Sequence, residues 1–363
     1  MNILFTESSR NYGGQELQAI TQMLALKKMG HTVLLMCKSD SKIAVHAKNK
    51  GLEVRHNTFR SSLHIPSIYR LIQFIHHFAP DIIVCHSGHD SNTVGIARIL
   101  SLYRQKPIYI IRQKTYLTRR IKTFSLNYLN DSIIVPGKAI RDSLIQAGCN
   151  SNKVSVIPPG FDFDQLDEEA DLPLPPPIQS WLNRNRDITV ILQVGMLRAE
   201  KAHGFMLQTL ARLKSEGKKF IYLIAGGGKP CMEEAIRRQI IELDLQDRVF
   251  MAGNIFPVAP LYRLASLVVM PSRCEPFGMV VAEASAFAVP VLASHTGGIP
   301  DIIRHNETGT LLPVDDMDAW LAALRDYLVN PEHYRDMAKK ACSDVRKRFD
   351  IMSTARNITI HFM

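Results

Sequence analysis

The sequence predicts an α/β protein built from two doubly wound, Rossmann-like parallel-sheet domains. Three observations lead there. Short apolar runs rich in β-branched residues alternate from end to end with longer amphipathic segments, the pattern of βαβ units. At 363 residues the chain exceeds what one hydrophobic core supports. Residues 167–187 (DEEADLPLPPPIQSWLNRNRD) break the alternation with a proline cluster unsuited to a helix interior or a central strand. They read as a linker between an N-terminal domain, 1–166, and a C-terminal domain, 188–344. A terminal helix at about 345–363 is free to pack back on the first domain.

In the N-terminal domain the candidate strands are 3–6, 32–37, 81–85, 108–111, 132–135 and 154–157. Between the first two, Leu17, Ile20, Met23 and Leu24 fall on one face of a helix ended by Gly30. The C-terminal series is 189–194, 220–225, 249–252, 267–270, 290–293 and 310–312. Such sheets bind ligands beyond the C-terminal ends of their strands, so a cleft between two facing domains is where function is expected.

Composition removes several classes. With 46% hydrophobic and 21% charged residues the chain is not disordered. No apolar run approaches the ~18 residues of a spanning helix. Residues 1–7 read as a first strand and not as a signal peptide, which gives an expectation of a cytoplasmic protein. Six scattered cysteines without a CxxC pair argue against a zinc site or a disulfide framework. The net charge of +10 is lopsided: residues 1–165 hold 21 Lys and Arg against 10 Asp and Glu, the remainder 23 against 24. An anionic partner of the N-terminal half follows, whether membrane surface, phosphorylated glycan or nucleic acid.

The turns after the strands carry the chemistry. Gly13 and Gly14 open the first helix, where close approach and free N–H groups suit a phosphate, although a GG turn also serves as a plain turn. His86 follows the strand 81–85, with His89 and Asp90 just beyond. A histidine there can bond a sugar hydroxyl or orient a base with Asp90 as its partner; the alternative is a satisfied loop histidine. Gly195, Arg198 and Lys201 lie at the tip of the first C-terminal strand, two cations able to clamp a diphosphate or to form a solvated pair around Glu200. Gly226, Gly227 and Gly228 repeat the design at the next tip without the spacing of a P-loop. In PSRCEPFGMVVAEA, Glu275 stands in a loop and Glu283 inside an apolar helix, where a carboxylate needs donors such as vicinal sugar hydroxyls. N–H groups around Phe277 to Val280 suit a phosphate or the sugar it carries.

Glu275 and Glu283 in EPFGMVVAEA, followed by GGIPDII and NETGTLL, resemble the signature of family 4 of the retaining glycosyltransferases with the GT-B fold. The likeness extends over most of the chain, through GGQE at 13–16, the strand-tip His86, SLIQAG with VSVIPPGFD at 143–162, and the Arg198/Lys201 loop. It implies metal-independent transfer of a sugar from a nucleotide-diphosphate sugar, without a cofactor, to a hydroxyl acceptor. His86, Arg198, Lys201 and Glu275 would be catalytic. Gly13, Gly14, Gly195, Gly227, Pro276, Phe277, Gly278, Met279, Val280 and Glu283 would hold the donor, Glu275 at the sugar and Glu283 at the ribose. His89, Asp90 and Arg112 would face the acceptor. Many members carry arginine directly after the strand-tip glycine; here that residue is Met196, and the role passes to Arg198. Lys201-Ala202 stands where lysine-glycine is usual.

Arg104, Lys106, Arg112, Lys114, Arg119, Arg120 and Lys122 crowd together with Tyr109, Tyr116 and Phe124 interleaved, suited either to an anionic membrane leaflet or to a solvated helix face. Within the resemblance this stretch is most similar to bacterial transferases of the lipopolysaccharide core and other envelope glycans. That implies a lipid-linked glycan acceptor met peripherally at the cytoplasmic face of the inner membrane. A non-hydrolysing nucleotide-sugar epimerase on the same fold is the alternative. Nucleic-acid binding ranks last, because it leaves the glutamates and glycine turns without a purpose.

Overall fold

The computed structural model describes residues 1–10, 13–102, 106–117 and 121–360. Of the basic cluster, Arg104, Arg119 and Arg120 lie outside these residues. The chain forms two compact units, Met1–Phe161 with Phe349–Met363, and Asp162–Arg348.

The first unit holds seven parallel strands: β1 (Asn2–Glu7), β2 (Thr32–Cys37), β3 (Glu53–His56), β4 (Ile82–Cys85), β5 (Tyr109–Gln113), β6 (Ser132–Val135) and β7 (Val154–Val156), in the order β3-β2-β1-β4-β5-β6-β7. β4 and β6 are buried at every residue, as strands covered on both faces must be. Every expected strand forms within two residues of its expected limits. β3 was not among them. Its sequence Glu-Val-Arg-His pairs only with β2 at the sheet edge, and a charged, largely exposed edge strand lacks an apolar run.

The second unit repeats the plan with β8 (Val190–Val194), β9 (Ile221–Ala225), β10 (Val249–Gly253), β11 (Leu267–Met270), β12 (Val291–Ser294) and β13 (Thr310–Leu312), ordered β10-β9-β8-β11-β12-β13. In both sheets the chain reverses its direction of travel beside the first strand. The crevices between β1 and β4, and between β8 and β11, are therefore the topological switch points where such sheets bind ligands.

Residues 167–187 hold more structure than a linker. Helices Phe163–Ala170 and Pro176–Arg184 both belong to the second unit. Pro176 and Pro177 occupy the first turn of the latter, where a missing N–H removes no helical bond. Trp181 anchors this helix against Phe250, ring centroids 5.2 Å apart. The terminal helix Ile351–Ile360 returns to the first unit, placing Ile351, Ala355 and Ile358 in one core cluster with Ile20 and Met23 of the helix Gly14–Lys28. Phe161 N–H donates to Phe349 O at 2.8 Å and Ile351 N–H to Phe161 O at 3.0 Å, which fixes the return.

Candidate active site

In the second unit the site grows from the tip of β8. Gln193 Nε2 donates to Lys201 O at 2.9 Å, and the hydroxyl of Tyr222 on β9 donates to Gln193 Oε1. This chain of bonds holds the 3₁₀ turn Ala199–Lys201 against the sheet. Ala202 then takes a left-handed conformation and starts the helix His203–Ser215. The Lys201 ammonium donates to Glu275 Oε2 in an ion pair whose side chains are 22% and 10% exposed.

Glu275 sits in the loop after β11, and three contacts fix that loop. Gly298 N–H donates to Glu275 O at 2.9 Å. Gly297 (φ +54°) passes so close that a Cβ there would lie 1.8 Å from the same oxygen, so the position requires glycine. Arg273 joins the loops after β8 and β11: its N–H donates to Glu200 O at 2.8 Å, its Nη1 to Ala199 O at 3.1 Å, and its Nε to Asp315 at 2.7 Å.

Gly278, at φ +110°, caps the helix Met279–Ala286, which Met279 and Val280 open and which carries the half-buried Glu283. Desolvation pushes the Glu283 carboxyl above its usual range, opposed by the Tyr262 hydroxyl, which donates to its Oε2 at 2.6 Å. Tyr262 and Gln193 carried no signal in the sequence. The GG turn at 297–298 was visible as a turn, but its partner was not.

Arg198 is exposed, and its guanidinium meets Glu200 at 3.7 Å; its carbonyl accepts from Lys201 N–H at 3.0 Å within the turn. Two cavities of about 640 and 760 Å³ flank residues 197–199, the larger reaching Gly227, Gly228 and Asn254 beyond β9 and β10. Lys201, Glu275 and Glu283 line neither. The Gly227 N–H is taken by Asn254 Oδ1 at 2.8 Å.

The first unit differs from expectation at the tips of β1, β4 and β5. His86 is 1% exposed and stacks on Phe5 at 5.6 Å. Its Nδ1 lies 3.2 Å from the Thr6 carbonyl, which only accepts, so Nδ1 carries the proton. The Gln113 amide lies 3.1 Å from Nε2 and supplies the matching donor when its NH2 faces the ring. Burial lowers the His86 pKa and keeps the ring neutral. Asp90 does not partner this ring. It is fully buried and accepts from Thr6 Oγ1 (2.8 Å), His86 N–H (3.1 Å) and Ser87 N–H (2.8 Å), capping the helix Gly88–Leu100. Desolvation, reinforced by Glu7, pushes its carboxyl up to about 7.

The expected phosphate donor Gly13 gives its N–H to Glu16 Oε2 at 2.9 Å, so a carboxylate of the helix itself occupies that place. Gly14 remains exposed beside it. The expected basic face is also corrected. Arg112 and Lys114 are 5% and 7% exposed, because β5 is an interior strand, and Lys106 is paired with Asp81 at 2.6 Å. His89 is exposed near Ser62.

Residues 178–344 match the family model of glycosyl transferases group 1, and residues 12–165 match that of Glycosyltransferase Family 4. The chain belongs to glycosyltransferase family 4. It is 26% identical over 261 residues to the amylovoran biosynthesis glycosyltransferase AmsK of Erwinia amylovora, covering 68% of this chain and 61% of that protein. It is 30% identical over 229 residues to the D-inositol 3-phosphate glycosyltransferase of Kineococcus radiotolerans, covering 58% of this chain and 52% of that protein. The matches thus span less than two thirds of these relatives' length.

Anabaena HepE in complex with UDP and glucose superposes with a TM-score of 0.85 at 19% identity over 99% of both chains. The lipopolysaccharide outer core galactosyltransferase WaaB gives 0.76 at 19% identity over 100% of both. This family 4 chain therefore has the GT-B fold. Among its described residues no helix is long and apolar enough to cross a membrane, and no cluster of three or more His, Cys, Asp or Glu is arranged to hold a metal ion.

Proposed function

We propose that the protein transfers a sugar from a nucleotide-diphosphate sugar to a hydroxyl of a lipid-linked or lipopolysaccharide-type glycan, with retention at the anomeric carbon. The observation that carries the reading is the Lys201–Glu275 pair beside the β8/β11 switch point, with Glu283 on the following helix. The UDP complex of Anabaena HepE supports the donor class, and the names of AmsK and WaaB support an envelope glycan.

Lys201 releases Glu275 and takes the diphosphate; Glu275 turns to the hydroxyls of the donor sugar, and Glu283 accepts from the ribose. Arg198, exposed and lightly held, swings in as the second cation. The bond between the anomeric carbon and the diphosphate oxygen breaks, and the leaving oxygen takes the proton of the acceptor hydroxyl. That hydroxyl then bonds to the carbon on the face just vacated. The ammonium and guanidinium stabilise the charge that develops on the leaving group, as fixed donors do for an oxyanion, so no divalent ion is needed. His86 and Asp90, buried behind the strand tips, position the β4 loop, and His89 meets the acceptor.

Attachment to an anionic membrane draws on the surplus positive charge of the first unit, with the exposed Lys122, Phe124 and Tyr128 as contacts.

The test is thermal stabilisation by UDP, GDP, ADP and CMP and their sugars, with and without EDTA, because a ligand of the native state raises the midpoint. A shift with one nucleotide diphosphate that survives EDTA is expected. A folded sample that responds to none removes the reading. Product analysis without acceptor separates it from epimerisation, which converts the donor alone.

A further inference from the structure

The turn that carries Lys201 is held from outside at each of its carbonyls. Within Ala199–Lys201, Ala199 O accepts from Arg273 Nη1 at 3.1 Å, Glu200 O from Arg273 N–H at 2.8 Å, and Lys201 O from Gln193 Nε2 at 2.9 Å. Two of the three bonds therefore come from Arg273. Its own carbonyl accepts from Thr296 Oγ1 at 3.2 Å, next to the Gly297–Gly298 turn that fixes the Glu275 backbone. Its Nε donates to both carboxylate oxygens of Asp315, at 3.0 and 2.7 Å. Because β8, β11, β12 and β13 are consecutive in the sheet, this one residue laces the tip loops of four adjacent strands.

Asp315 is the unusual partner. It follows β13, precedes the N-cap Asp316 of the helix Met317–Val329, and holds φ +57°. Glycine takes that conformation freely and an aspartate takes it at a cost, so the carboxylate is kept there against backbone preference. The helix start does not depend on it, since Asp316 Oδ1 already accepts from Ala319 N–H at 3.0 Å. Folding gains little either: the Arg273 and Asp315 side chains are 47% and 42% exposed, and an ion pair that open adds little stability. What the pair does is orient the guanidinium. With Nε committed to Asp315, Nη1 reaches Ala199 O; without that anchor a long, half-exposed arginine would sample many rotamers. Backbone strain kept at a site edge with little gain in folding points to function.

We propose that Arg273 and Asp315 are positioning residues of the donor site, Asp315 acting through Arg273 to hold the Lys201 turn where its ammonium meets the diphosphate. The donor role rests on the transferase reading; the hold on the turn does not. Lys201 remains the contact, and Arg273 fixes the backbone that presents it. The expected signature is a loss of affinity without a loss of stability.

The experiment compares wild type with Asp315→Gly, Asp315→Asn, Arg273→Gln and the variant combining Asp315→Gly with Arg273→Gln. Thermal unfolding gives stability, and titration calorimetry with UDP, GDP and ADP gives affinity. Amide hydrogen exchange is followed at Lys201 and Ala202, whose N–H groups close the turn on Arg198 O and Ala199 O. Asp315→Gly should leave the midpoint unchanged or raised, since relief of the left-handed strain offsets the freedom of glycine in the unfolded chain. It should weaken the diphosphate that wild type binds by about three- to fivefold, as loss of one half-exposed charge-assisted bond does, and speed exchange at the turn by a similar factor. Asp315→Asn keeps an acceptor and tolerates the backbone, and should stay within about twofold of wild type. The combined variant should lose no more affinity than Arg273→Gln alone. Equal affinity and exchange in wild type and Asp315→Gly overturns the proposal, as do additive losses in the combined variant or a midpoint that falls in step with affinity. If wild type binds no nucleoside diphosphate while the exchange response holds, the transferase reading falls alone. Should Asp315→Gly not fold, Arg273→Gln is read against wild type under the same criteria.

Discussion

Glu275→Gln should tighten UDP binding while it destroys turnover. Lys201 is paired with Glu275, and a diphosphate has to displace that carboxylate to reach the ammonium. A charge-assisted hydrogen bond between groups this little exposed is worth about 1.5–3 kcal/mol. If UDP takes over half of that bond, removing the carboxylate returns about 1 kcal/mol, roughly a fivefold fall in Kd. The Gln193 and Arg273 bonds hold the two loops without Glu275, so the ammonium stays in place. Turnover should fall by about two orders of magnitude or more, because the sugar loses an acceptor positioned for its hydroxyls. Titration calorimetry with UDP and initial rates with the matching sugar donor measure the two effects separately. UDP binding that weakens in step with turnover would refute the reasoning, since Glu275 would then be supporting Lys201 and not competing for it.

Three further outcomes follow from the same geometry. Lys201→Met should weaken UDP by about tenfold or more by calorimetry, because the diphosphate loses its half-buried cation. Gly297→Ala should lower donor turnover severely while UDP still binds, since its Cβ would force the Glu275 backbone to move; normal rates would show that the loop adapts. Gly160→Ala should cost about 1–3 kcal/mol in thermal or urea unfolding, because its Cβ would lie 2.7 Å from Ile351 Cα and dislodge the returning helix.

The sheets were legible because parallel strands here are short apolar runs: nine of the twelve expected strands are interior, and the edge strands β7, β10 and β13 keep an apolar run as well. β3 was hidden because an edge strand needs no apolar run. Spacing revealed Glu275, Glu283 and Lys201, but it did not show that two of them hold each other, which depends on β8 and β11 pairing side by side in the sheet. The basic stretch 104–122 misled for a related reason. Charge in a sequence reads as surface, yet Arg112 and Lys114 follow the strand rhythm of β5 and go inside with it.

Glu283 ties burial to function through pH. Its raised carboxyl pKa means that the folded chain binds this proton more tightly than the unfolded chain does. The resulting stability is complete below the usual carboxylate range and is lost as pH rises through the raised value. Glu283→Gln removes that loss and keeps an oxygen for the Tyr262 hydroxyl. The variant's thermal midpoint should therefore equal wild type at about pH 3, where Glu283 is protonated in both the folded and the unfolded chain, and exceed it at about pH 8. UDP affinity should move the other way, because an amide accepts from the ribose hydroxyls less strongly than a carboxylate. A variant that is less stable at high pH would mean that the Tyr262 bond outweighs desolvation. Glu283 would then be a structural group, and the ribose would need another acceptor.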